Sequence, residues 1–341
     1  MENRILYDYV TFTSKIHDMS SAIDLLGLSG CTFERQESCL LGYHEHYMFN
    51  DIHICFDTAR EDMGLMVSMT GKGCRAFETY GNGDYEAIFS EILDNYSDDS
   101  EKRQMNLTRL DVAYDDFDHV LDLDVLLHDT LDRNFVMRFH RGSVNYDFGN
   151  SKEEDLGFTL YYGRKSSNIF IRIYDKLAEQ EREDLDHWVR CEISLKKENA
   201  IGFIQNEEKH IGRKYFGVLN NYLRFVKRNP DDSNKRRWET AEYWQKFIEY
   251  EDVISVYSKP GVDYDIHKLD SYVFGQASGA VQTMIDIIGV KRFFEKLLES
   301  RKGKKLNPKY DTLKDRMSAF SAPFREDTIP RCLGAAYAEQ V

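Results

Sequence analysis

The stretch NIFIRIYDKLAEQ, residues 168–180, sets Ile169, Ile171 and Ile173 against Arg172, Tyr174 and Lys176 on alternate positions. Period-two alternation predicts a half-buried strand, and its polar face then carries a phenol between a guanidinium and an ammonium. A free phenol titrates near ~10, so it is a poor nucleophile at neutral pH unless cations or a metal stabilise its anion. Arg172 and Lys176 could lower that value or hold a phosphate against the hydroxyl. The plainer reading is a surface aromatic, because the chain has 21 tyrosines and sheet tyrosines are common.

Two further stretches place charge in the same way. In TRLDVAYDD, Leu110, Val112 and Tyr114 share one face and leave Arg109, Asp111, Ala113 and Asp115 on the other. In WVRCEIS, Val189, Cys191 and Ile193 are apolar, leaving Arg190, Glu192 and Ser194. Carboxylates side by side on a sheet repel, so Asp111, Asp115 and Glu192 need arginine partners or a bound cation. Oxygen-only ligands suit Mg²⁺ or Mn²⁺. The competing expectation is cross-strand ion pairs, such as Arg109 or Arg190 with Glu192.

Other signals are weaker. YHEHY sets His44 and His46 two apart, a metal-pair spacing, but Glu45 between them favours surface histidines on a strand. TGKGCRAFE has two glycines and a lysine without phosphate-loop spacing, and reads as a turn into a short helix. No G-x-S-x-G, H-E-x-x-H or G-x-G-x-x-G stands in a supporting context, which disfavours hydrolase, zincin and dinucleotide-binding readings.

The elements that must position these groups follow from periodicity. Residues 7–14 read as a strand and 19–28 as a short helix with Ser20 or Ser21 near its cap. Strands are expected at 40–49, 52–57 and 64–70, and a helix at 84–96. A second round opens with a strand at 107–118 and a helix at 122–134, followed by strands at 158–162, 168–176 and 187–195. The repeated order predicts an α+β fold: an antiparallel sheet of two related halves with helices on one face. After Lys197 the pattern turns helical, and RNPDDSNKRR (228–237) reads as a linker. The expected division is an α+β catalytic domain over 1–205 and a basic helical DNA-recognition region over 206–341.

The formal charge of −14 argues against a nucleic-acid partner, but its distribution argues the other way. Residues 1–150 hold 28 acids and 12 bases, whereas 209–237 holds nine bases and two acids. RKGKK at 301–305 adds a second cationic stretch. Arg213, Lys214, Arg224, Lys227, Arg228, Arg236 and Arg237 are the candidate DNA contacts, with solvated helix faces as the alternative. Six cysteines without a C-x-x-C pair, no long apolar run and no leader pattern fit a cytoplasmic protein with no membrane association.

Taken in order, DYVTFT, MTGKGCRAFE, TRLDVAYDDFD, IRIYDKLAEQ, WVRCEISLKKENA and VFGQASGAVQTMI resemble the replication initiation factor family. That family comprises rolling-circle plasmid initiators, related phage proteins and relaxases of conjugative transposons. The resemblance spans most of residues 7–300. It implies a metal-dependent nicking-closing enzyme whose tyrosine, in an R-x-Y-[DE]-K strand, matches Tyr174. Its acidic residues fall in the strands that here hold Asp111, Asp115 and Glu192. It also implies origin DNA, host helicase and polymerase as partners, and a homodimer is open. Some relaxases begin with a helix-turn-helix domain, whereas this chain starts at the first strand, which favours a plasmid- or phage-type initiator. A conjugative relaxase and a non-catalytic origin-binding repressor remain the alternatives.

Overall fold

Two long antiparallel strands, β1 (Arg4–Ser14) and β6 (Met105–Asp116), form the middle of the sheet in the computed structural model. It describes residues 2–146, 157–180, 185–249, 274 and 277–302. β1 and β6 belong together because Val10 and Phe12 on one, and Leu107, Leu110 and Val112 on the other, drive the same face into the core. Their pairing is interrupted between Tyr7 and Tyr9 by a register shift that leaves Asp8 without a cross-strand partner. Such a bulge re-aims the extra side chain.

From this centre the chain builds outward twice. On one side lie β5 (Leu65–Met69), β4 (Ile52–Phe56), β3 (Glu45–Phe49) and β2 (Glu34–Arg35). On the other lie β11 (Val189–Lys196), β10 (Ile169–Asp175), β9 (Phe158–Tyr162) and β8 (Gly142–Tyr146). All neighbouring strands are antiparallel. Each half thus runs from a central strand through a helix to its rim, then back strand by strand, so the expected duplication holds at the level of topology. The opening helix of each half is α1 (Met19–Leu25) or α4 (Leu123–Leu131). Asp18 and Asp122 cap them, and Ser21, expected near the first cap, completes a capping box with Asp18.

Helices cover one face only. TGKGCRAFE is most of a full helix, α2 (Gly71–Tyr80), rather than a turn before a short one. Gly73 is required there, since a Cβ would collide with the Asp51 carbonyl oxygen as the helix crosses the β3–β4 turn. Helix α3 (Tyr85–Asp94) buries Ile88, Phe89 and Ile92 on the same core, and α6 (Glu198–Gln205), behind β11, buries Ile201 and Phe203.

The helical segment after Lys197 is arranged differently from its expected form. Helix α7 (Ile211–Tyr222) stops where Leu223 begins strand β12 (Leu223–Phe225), which pairs with β7 (Phe135–Met137). Helix α8 (Glu242–Glu249) follows the linker and buries Trp244 and Phe247. Tyr215, Phe216, Phe225, Trp244 and Phe247 join the sheet's own core, and the Tyr215 hydroxyl donates to the Cys191 carbonyl of β11 at 2.8 Å. The compact unit therefore runs to Lys259, not to residue 205. Apolar residues of 211–247 would be exposed if the chain were cut at the expected boundary. The second unit, 260–341, contains α9 (Ser278–Ile288) and α10 (Val290–Arg301), joined at Gly289. RKGKK lies mostly outside the described residues. No described helix is long and apolar enough to cross a membrane.

Candidate active site

The face of the sheet turned away from the helices gathers the groups singled out by alternation. Cross-strand pairing lines up Tyr174, Arg190, Asp115 and Arg4 in one row across β10, β11, β6 and β1. The next row holds Tyr161, Arg172, Glu192 and Ala113, and the one after it Ser194, Asp111 and Tyr9. Long-range antiparallel register, not sequence proximity, brings these residues together.

Asp115 is fully buried and saturated. Arg190 grips it with two bonds of 2.6 and 2.9 Å, and Arg4 Nε adds a third at 2.9 Å. Burial alone would raise its carboxyl, but Arg190 and Arg4 outweigh that and hold it at about 2. Arg190 also reaches Asp8 Oδ1 at 2.7 Å. The expected pairing of Arg190 or Arg109 with Glu192 is thus corrected. Arg190 serves Asp115 and Asp8, while Arg109 grips Asp111 at 3.0 and 2.5 Å, with Ser194 Oγ donating to Asp111 at 2.6 Å.

Glu192 is the carboxylate in difficulty. Arg172 donates to its Oε2 at 2.6 Å, but Oε1 is buried with no hydrogen-bond partner. Burial, followed by the charges of Asp111 and Asp8, pushes its carboxyl up to about 8 against the pull of Arg172. Asp8, which the strand pattern did not mark, is the residue missed by alternation. The bulge takes it out of the period, and an acid breaking an otherwise regular strand was its only signal.

Tyr174 sits beside this group, buried, its hydroxyl without a hydrogen-bond partner among the described residues. The Arg172 guanidinium lies 4.9 Å and the Lys176 ammonium 5.6 Å from its ring centroid. Expectation and structure differ on the balance of charge. Burial, then Glu192, raises the phenol, and Arg190 and Arg172 offset only part of that. Lys176 begins a short helix, α5 (Lys176–Glu179), and its ammonium is engaged by Glu179 at 2.6 Å. The phenol is therefore protonated at neutral pH unless further positive charge arrives. Tyr161 shares this polar face, whereas Tyr162 points into the core and bonds Thr130 at 2.5 Å.

Among the described residues no three His, Cys, Asp or Glu side chains stand in metal-binding geometry, because each predicted carboxylate is turned to an arginine. His44 and His46 do not converge. His44 pairs with Asp57 at 2.5 Å, and His46, buried rather than on the surface, bonds His53 and the Ser38 carbonyl, both at 2.9 Å.

The seven basic candidates divide. Arg224 holds the linker through the Trp238 and Arg236 carbonyls and Thr240, and the exposed Arg237 pairs with Asp232 at 2.6 Å. Arg213 is exposed with Glu208 at 3.7 Å, and Lys214 lies 5.8 Å from the Phe203 ring centroid. Lys227, Arg228 and Arg236 are exposed.

Comparison with known proteins bears on residues on both sides of this site. Residues 105–300 match the replication initiation factor family, and residues 4–93 match the N-terminal domain of rolling-circle replication initiation proteins. A Bacillus subtilis (strain 168) protein carrying the provisional name DNA relaxase NicK is 27% identical over 268 residues, covering 76% of this chain and 74% of that protein. The solved rolling-circle replication initiator protein of Geobacillus stearothermophilus is 28% identical, with a TM-score of 0.68 over 76% of this chain and 99% of that one. With more than half of its length matched, this chain belongs to the replication initiation factor family, the rolling-circle replication initiators.

Proposed function

We propose that the chain initiates replication by cutting one DNA strand at an origin, with Tyr174 as the nucleophile. The observation that carries this reading is the buried, unpartnered Tyr174 hydroxyl flanked by Arg172 and Arg190 and facing an over-acidic cluster. A buried polar group without a partner costs stability, so its retention beside cations fits a reacting atom. In the step, the Tyr174 oxygen forms a bond to phosphorus and the bond from phosphorus to the 3′ oxygen breaks. The products are a 5′-phosphotyrosine and a strand end that takes up the proton as a 3′-hydroxyl. The linkage energy is kept in the new ester, so the reverse attack reseals the strand without ATP.

Arg172 and Arg190 are placed to neutralise the phosphate as charge grows on its oxygens. Glu192 Oε1, without a partner among the described residues, is the oxygen open to a divalent cation; Asp8 and Asp111 beside it are held by Arg190 and by Arg109 and Ser194, and would have to turn from them to join it, while Asp115 is held by Arg190 and Arg4. Mg²⁺ or Mn²⁺ held there would supply the positive charge that the phenol lacks and polarise the phosphate. Excess carboxylate charge around Glu192 supports this reading.

The test is incubation of supercoiled origin plasmid with the protein and Mn²⁺, followed by mass spectrometry of the linked peptide. Adduct on Tyr174 supports the proposal. Origin binding without any adduct would instead favour the non-catalytic repressor.

A further inference from the structure

The sheet face that carries Tyr174 continues onto two loops with a character of their own. Residues 138–141 (RFHR) join β7 to β8, and residues 163–168 (GRKSSN) turn β9 into β10. The loops are tied by the Gly163 amide donating to the Arg141 carbonyl at 2.8 Å. Gly163, at φ +92°, is fixed between Phe139 and Phe170, where any Cβ would press on the Phe139 ring and the Phe170 Cβ. Between and beside the loops are two adjoining hollows of about 420 and 520 Å³ that share Arg141, Gly163 and Arg164 as a wall.

Their lining is cationic. Arg138, Arg141, Arg164 and Lys165 are all exposed, none forms an ion pair with a described residue, and neither hollow is lined by a carboxylate. In a chain of net charge −14 with 59 acids, four cations around one groove with no ion-pair partner among the described residues make a local anion-attracting surface. Aromatic groups are interleaved. Phe139 stacks on Tyr222 at 5.3 Å, and the Lys165 ammonium lies 4.7 Å from the Tyr161 ring centroid. Tyr161 is the cross-strand partner of Arg172, which in turn lies over Tyr174. A line of cation and aromatic groups therefore connects the groove to the nucleophile. From Tyr174 to Asn168 along β10 it covers roughly 20 Å at ~3.3 Å per residue.

We propose that this groove binds the phosphates of the single-stranded DNA continuing from the phosphate presented to Tyr174, an inference that rests on the strand-cutting reading above. Exposed arginine and lysine neutralise successive phosphates, and the stacked, half-buried pair Phe139 and Tyr222 lines the hollow beside them, the mix of cations and aromatics that single-strand platforms use. The walls are two short loops with no helix to enter a major groove, so a duplex is not the occupant.

The experiment uses the full chain and a variant carrying Arg138→Gln, Arg141→Gln, Arg164→Gln and Lys165→Gln, with circular dichroism melting to confirm folding. Fluorescence anisotropy measures binding of labelled oligothymidylate, and of origin duplex, as salt is varied. The expected result is a fall in the oligothymidylate salt slope of roughly 3, at about 0.7 for each phosphate no longer neutralised, with duplex binding unaltered. A companion variant with lysine at Arg138, Arg141 and Arg164 should keep most of the slope, because charge is retained. An unchanged slope in the glutamine variant, or an equal weakening on the duplex, overturns the proposal. Oligothymidylate binding needs no cleavage. If the wild type never forms an adduct but binds the single strand through these residues, the cutting reading falls and the groove stands.

Discussion

Glu192→Gln should stabilise the protein at and above neutral pH while destroying its activity. The Glu192 carboxyl has an ordinary value of 4.5 and is pushed up to about 8 in the folded chain. Below about 4.5 both folded and unfolded forms hold the proton and the group is neutral to stability. Between about 4.5 and 8 the unfolded chain has released it while the folded chain retains it, so stability falls as pH rises. Above about 8 both are ionised and the loss levels off. At about 1.36 kcal/mol per unit of pH, the part of this window between pH 5 and pH 8 amounts to roughly 4 kcal/mol. Glutamine keeps the shape and can still accept from Arg172, but it carries no charge into the cluster with Asp8 and Asp111. Urea unfolding at several pH values across that window measures the difference. The variant's midpoint should stay nearly flat while the wild-type midpoint declines, with similar m-values. Two curves that decline in parallel would refute the reasoning and make Glu192 an ordinary ionised partner of Arg172.

Tyr174→Phe removes a hydroxyl that bonds nothing, so thermal stability should be unchanged or slightly raised while the covalent DNA adduct disappears from denaturing gels. Asp115→Asn should behave in the opposite way to Glu192→Gln, costing about 3–5 kcal/mol in urea unfolding because Arg190 and Arg4 lose a buried partner. Mn²⁺ binding at neutral pH should release close to one proton from Glu192, seen by calorimetry as a heat that depends on the buffer's ionisation enthalpy, and Glu192→Gln should abolish that dependence. A chain ending at residue 205 should be unfolded by circular dichroism, since Tyr215, Phe216, Phe225 and Trp244 are core residues.

Alternation made the strands readable because one face of each is buried and the other is not. IFIRIYD, VRCEIS and LTRLDVAYDD therefore announced both their secondary structure and the side on which Tyr174, Glu192, Asp111 and Asp115 would lie. Helices with buried stripes were equally plain. Residues 211–225 misled because their apolar spacing fits a helix throughout, yet Leu223 pairs with Met137 in a long-range contact that no local pattern encodes. Cationic composition likewise pointed to 209–237 as a DNA surface. Arg224 and Arg237 there bond backbone carbonyls and Asp232, and composition gave no sign that Arg138, Arg141, Arg164 and Lys165, scattered in sequence, meet in one groove.

The sequence by itself determined the residue types of the site, the face each would occupy and the family of the chain, because these depend on local periodicity and on motif order. Only the tertiary structure decided which charges meet. The antiparallel register put Arg190 on Asp115 and left Glu192 with an empty oxygen, and a bulge in β1 delivered Asp8. Ion pairing acts over a few ångströms across strands separated by tens of residues, so partner choice is a property of register and burial. The same burial that shelters Tyr174 holds its proton in place, and that balance exists only once the sheet is assembled.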